Sequence, residues 1–178
     1  MQQQLEQEQG DKLRFIRMLK TKEYAIKSIL KVAIGQRTMN QRFYLAMHLQ
    51  QNVSFFQNYS GKTLFNLCDQ VHQRVYDKGE IIFKKGDFGD ELIVVMVGEV
   101  GVYVDDMLQQ CVAVLTENKT YGERSVQQPE VRQVNLLAHR VTVCLTLKKT
   151  DFQNQVFHME HMQKIKRLDY LQRIYIFK

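Results

Sequence analysis

The chain has no apolar run longer than about six residues, far short of the ~20 that cross a bilayer as a helix. No membrane span is expected. It opens on a Gln/Glu tract without the charged-then-apolar pattern of a secretory signal, so a cytoplasmic setting is expected. Cysteine is scarce: Cys68, Cys111 and Cys144 lie in apolar strand or helix patterns without metal-ligand spacing. All three read as buried, reduced thiols. His158 and His161 flank Glu160 on a predicted helix, but nothing is placed to complete a metal site, and exposed helix histidines are the simpler account. Among the predicted strands and their turns the one histidine is His139, which excludes a His-x-His metal set. Gly-x-Ser-x-Gly, Walker A and kinase-loop motifs are missing. These absences argue against an enzyme, a metal or another cofactor.

What is present suits one domain with helical additions: 178 residues, 44% hydrophobic and 10% aromatic, enough for a real core. The net charge of +6 is uneven. Residues 11–42 carry nine Lys/Arg against two acids, residues 43–152 eleven against thirteen, and residues 153–178 five against two. A nucleic-acid binder spreads basic and aromatic residues over its fold, so no nucleic-acid partner is expected. The basic helices read as solvated faces, with an acidic partner surface as the other reading.

Residues 1–10 are polar and low in complexity, and read as a disordered leader. An N-terminal helical region follows over 11–72. Its first helix spans 11–34, with Ile26, Ile29, Leu30 and Ala33 on one face and Gly35 as its stop. A second runs from about Asn40 to Gln51, with Phe43, Ala46, Met47 and Gln50 near one stripe. A third, from about Lys62 to Val71, buries Leu64, Leu67, Cys68 and Val71. From Gln73 the period becomes two, and seven short strands are predicted: 74–76, 81–84, 92–97, 100–104, 111–115, 135–138 and 141–147. Strands this short and evenly spaced predict an antiparallel β-roll, jelly-roll-like, over 73–150. Helix returns at 151–178, with an apolar stripe from Phe152 and Val156 to Ile174 and Tyr175. The fold class is α+β: a roll flanked by N- and C-terminal helices.

The chemistry lies between Gly122 and Asn135. Gly122 and Glu123 are followed nine residues later by Arg132. A strand end turning into a short helix at Gly122–Val126 presents backbone N–H groups to an anion, and glycine lets the backbone come close. Arg132 adds a guanidinium that keeps its charge. Glu123 can accept from a ribose 2′-OH, and Asp90 can orient Arg132. The plainer readings are that Glu123 sits in a first helical turn, where a carboxylate is favoured, and that Arg132 pairs with Glu123 or Asp90.

From about Arg37 to Phe152, about two-thirds of the chain, the sequence resembles the cyclic nucleotide-binding domain of kinase regulatory subunits, gated channels and bacterial regulators. Val53-Ser54-Phe55-Phe56 matches the apolar end of that family's helical lead-in. The run from Gly79-Glu80 to Gly89-Asp90 matches its strand entry, and Gly98-Glu99-Val100 its next strand start. Tyr121-Gly122-Glu123 with Arg132 falls on its phosphate-binding cassette. Asn135 matches the channel-like version. Gln133 replaces a small pocket residue, Arg124 and Ser125 replace Leu and Ala, and Asn118 stands where a turn glycine is common.

The resemblance implies that Gly122, Glu123, Arg124, Ser125, Arg132, Gln133 and Asn135 hold cyclic AMP or cyclic GMP, with Asp90 in support. It implies that the helix after Phe152 closes over the base and carries the signal. The alternative is a binding-degenerate roll serving as a structural subunit, its helices docked on a protein partner. The ending Leu168–Lys178 resembles the lead-in to a further domain of this kind.

Overall fold

A computed structural model describes residues 24–156. The leader, the first part of the basic helix, the His158/His161 pair and the C-terminal stripe from Met159 onward lie outside the described residues.

Residues 24–30 are helical and bury Ile26, Ile29 and Leu30. This helix ends earlier than Gly35, and Ala33 is exposed. The last turn closes through Val32 N–H to the Ile29 carbonyl at 3.1 Å, and Arg37 bonds to the same carbonyl. Its buried guanidinium donates Nε to the Ile29 carbonyl at 3.3 Å and Nη1 to the Cys68 carbonyl at 2.7 Å. It thus meets one carbonyl at the end of this helix, which Val32 N–H also reaches, and one at the end of the helix Gly61–Leu67. This basic residue is a clasp inside the fold and not a solvated charge.

Helix α1 (Met39–Asn52) starts with a reciprocal capping box between Thr38 and Gln41. Its buried residues are Leu45, Ala46 and Leu49, while Phe43 and Met47 stay 59% and 41% exposed. The expected stripe is therefore shifted around the helix: Leu45 and Leu49, four apart, meet the core. A 3-10 turn (Ser54–Phe56) leads to α2 (Gly61–Leu67), capped by Ser60 Oγ accepting from Thr63 N–H. Leu64, Leu67, Cys68 and Val71 are buried as expected.

The strands are β1 (His72–Tyr76), β2 (Ile81–Phe83), β3 (Phe88–Gly89), β4 (Glu91–Val97), β5 (Val100–Tyr103), β6 (Cys111–Leu115), β7 (Thr120–Tyr121), β8 (Glu130–Val131), β9 (Asn135–Ala138) and β10 (Thr142–Lys148). They form antiparallel sheets ordered β1-β10-β4-β7 and β2-β9-β5-β6, with β3-β8 as a separate pair. This is the α+β β-roll. Asn118 holds a positive φ of 65° in the turn before β7, a conformation asparagine accepts.

Strand β4 joins two cores. Leu92, Val94 and Met96 face the helices, with Leu45, Leu49, Phe56, Leu145 and Leu147. Ile93 and Val95 face into the roll, with Phe83, Val100, Val102 and Leu136. A strand buried on both faces needs no alternation, which is why it reads as a continuous apolar run. Cys68 and Cys144 are buried, but Cys111 is exposed, because β6 is a sheet edge paired only with β5. Among the described residues no helix is long and apolar enough to cross a membrane.

Candidate functional site

Three two-residue strands too short to show a period build the site. Pairing of β7 with β4 sets Tyr121 opposite Ile93, and pairing of β3 with β8 sets Gly89 opposite Glu130. Between β7 and β8 lies α3 (Glu123–Gln127), whose N-cap Gly122 has φ 94°. A Cβ on Gly122 would stand 2.5 Å from the Glu91 carbonyl and 2.7 Å from Arg132 Nη1. Only glycine fits both the turn and the close approach. The first intrahelical bond runs from Val126 N–H to the Gly122 carbonyl. The amides of Glu123, Arg124 and Ser125 precede it and have no partner within the helix.

Arg132 is 3% exposed. Its backbone is held on both sides, by Arg132 N–H to the Asp87 carbonyl and Gly86 N–H to the Arg132 carbonyl. Its guanidinium lies 3.8 Å from the Phe83 ring centroid and 5.5 Å from that of Tyr121. It donates Nη1 to Ser125 Oγ at 2.8 Å and Nη2 to the Glu91 carbonyl at 2.6 Å. Burial pushes its pKa down, while Tyr121, Glu91, Asp90 and Glu130 pull it back up; an arginine so placed still keeps its proton.

Among the described residues no carboxylate forms an ion pair with Arg132. Glu91 pairs with Arg74 at 2.7 Å, Glu130 with Arg124 at 3.3 Å, and Glu123 accepts from Thr120 Oγ1. The simple pairing of Arg132 with Glu123 or Asp90 is thus not what is found. A buried charge without a counter-charge is costly. Here it looks onto a cavity of about 270 Å³, whose wall also includes Tyr121, Gly122, Glu123, Ser125 and Val134.

The structure gathers most of the expected residues. Gly122, Glu123, Arg124, Ser125, Arg132 and Gln133 all line the cavity. Ser125 is buried with its oxygen on Arg132, and Gln133 is exposed, its Nε2 donating to the Val131 carbonyl. Asn135 is not on the wall. Its Oδ1 accepts from Lys85 N–H at 2.8 Å and its Nδ2 donates to the Asp105 carbonyl at 3.0 Å, so its amide ties two loops together. Asp90 is exposed, and the hydrogen bonds that orient Arg132 come from Ser125 and the Glu91 carbonyl instead. Sequence reasoning missed Phe83 and Glu91, which support Arg132 from strands some fifty and forty positions away and leave no local signal.

Residues 73–158 match the family model described as cyclic nucleotide-binding domain. Over 135 residues, 74% of this chain, the sequence is 30% identical to "cGMP-dependent protein kinase egl-4" of Caenorhabditis elegans and 26% identical to "cGMP-dependent protein kinase 2" of Homo sapiens. The matched stretch is 17% and 18% of those proteins, so the chain spans less than a fifth of the curated relatives' length. Among solved structures, a cyclic nucleotide-binding-like protein from Brucella abortus superposes with a TM-score of 0.56 at 15% identity. The superposition covers 62% of this chain and 97% of that one, a likeness of fold alone.

Proposed function

Because residues 73–158 belong to the cyclic nucleotide-binding domain family, we propose that the chain senses a cyclic purine nucleotide at the Gly122–Arg132 cassette and passes the event to its C-terminal helix. The observation that carries this is the buried guanidinium of Arg132 beside the opening turn of α3, without a carboxylate partner among the described residues. An anionic cyclic phosphate supplies the missing counter-charge. The amides of Glu123 to Ser125 add donors. Ser125 Oγ already accepts from Arg132, so its hydroxyl proton remains free to donate to a phosphate oxygen. Glu123 takes the ribose 2′-OH, and Tyr121, Val102 and Val134 offer apolar wall to the rest of the ligand. The names of the relatives favour cyclic GMP over cyclic AMP.

The signal has a physical route. Val126 of α3 belongs to the same buried cluster as Phe152 of the helix after β10, and Gln153 Nε2 donates to the Gln127 carbonyl at 3.3 Å. Phe152 in turn meets Phe55 at a tilt and Tyr59 edge-on, each with ring centroids 5.7 Å apart. Ligand that pulls α3 toward Arg132 therefore shifts the seat of that helix. The regions 11–72 and 151–178 then hand the change to a protein partner or a further domain in the cytoplasm. The chain binds its ligand without turning it over and uses no other cofactor.

Titration of the chain with cyclic GMP and cyclic AMP tests the reading, and saturable binding with cyclic GMP the tighter is expected. Glu123→Ala should weaken cyclic GMP far more than its 2′-deoxy analogue. Equal losses for the two would leave Glu123 as a helix-start residue, and absence of binding to the unaltered chain would overturn the reading.

A further inference from the structure

We propose that Glu130, clasped by Arg124, sets the charge the cavity accepts, so that it takes a singly charged phosphodiester and turns away a doubly charged phosphomonoester. The inference rests on the nucleotide reading above and concerns Glu130 and Arg124, the latter standing where the resemblance expects Leu. Both Glu130 and Arg124 line the cavity, and Arg124 Nε stands 3.3 Å from Glu130 Oε1. The two are unequally placed. The Arg124 side chain is 74% exposed and that of Glu130 only 19%. Water screens the guanidinium, while the carboxylate acts on the cavity through a medium of lower dielectric. Its field reaches the cavity's other groups, since it acts on both Arg132 and Tyr121. Glu123 adds a second carboxylate to the wall, already bonded to Thr120. Arg132 is then the one cation on the wall without a carboxylate partner among the described residues. One negative charge on the ligand is balanced by Arg132. A second would lie beside Glu130 with no cation left to meet it.

The test compares cyclic GMP with 5′-GMP, read by competition against a fluorescent cyclic GMP analogue. The two ligands differ in shape as well as charge, so the quantity that matters is how their affinity ratio moves between variants. Glu130→Gln keeps the size of the side chain and should shift the ratio toward 5′-GMP by about fivefold at low ionic strength. Arg124→Gln unmasks Glu130 and should move the ratio the other way. The double variant restores the net charge and should return the ratio to that of the unaltered chain. A fold defect alone would not produce opposite shifts and a restoration. A ratio unchanged in both single variants, with cyclic GMP still bound, would overturn the role of Glu130. Failure of the unaltered chain to bind either nucleotide would overturn the nucleotide reading itself, and this inference with it.

Discussion

Burial divides the chain's three cysteines sharply. Desolvation pushes the thiols of Cys68 and Cys144 up from 9.0 to about 12, although Arg37 and Arg42 pull that of Cys68 down. Cys111 stands exposed on β6. At pH 8 a thiol reagent should therefore modify Cys111 quickly and the other two only when the chain unfolds. Two fast-reacting thiols in the native chain would contradict the burial. The same shifts set an alkaline limit. Both groups stay protonated in the fold until about pH 12 but ionise near 9.0 once unfolded. Their contribution to stability is whole below pH 9.0 and is lost as pH rises toward 12. At the same scale, Gly122 and Arg132 were legible in the sequence because their chemistry is bound to a short spacing. Asn135 was not placed correctly, because what decides its role is two backbone groups some thirty and fifty positions away.

Among the elements, α3 links the cavity to the helix-side core. Its residues Glu123, Arg124 and Ser125 line the cavity, and Val126 joins the core shared with the helices. The Gln127–Gln153 bond ties it to the helix that begins after β10. Saturating cyclic GMP should slow amide exchange both in 123–127 and in 149–156, because ligand that holds the first also fixes the seat of the second. Protection confined to the cassette would remove the proposed route to the C-terminal helix. The longer strands and α2 were readable because their apolar pattern, periodic in most and a continuous run in β4, extends over several residues. Strands β3, β7 and β8 were not, since two residues carry no period; β7 forms because β4 lies beside it, and β3 and β8 because they lie beside each other. The buried face of α1 was misjudged for a related reason: Phe43 and Met47 are as apolar as Leu45 and Leu49, and the surface that covers only the latter pair comes from elsewhere in the chain.

For the molecule as a whole, β4 makes the roll and the helices one packed body, with a core on each of its faces. The family match covers residues 73–158, which hold this roll and its cassette. On the nucleotide reading, the buried charge of Arg132 is the group that meets the cyclic phosphate. The most direct test of this claim is the affinity of cyclic GMP for the unaltered chain, Arg132→Ala and Arg132→Lys, with thermal melting to show that each variant is folded. The account predicts that Arg132→Ala costs about 2–5 kcal/mol of binding, the scale for removing one partner of a desolvated charge pair. Arg132→Lys should recover little of it, because the two-pronged geometry is lost. A folded Arg132→Ala chain that binds cyclic GMP as tightly as the unaltered one would contradict the account.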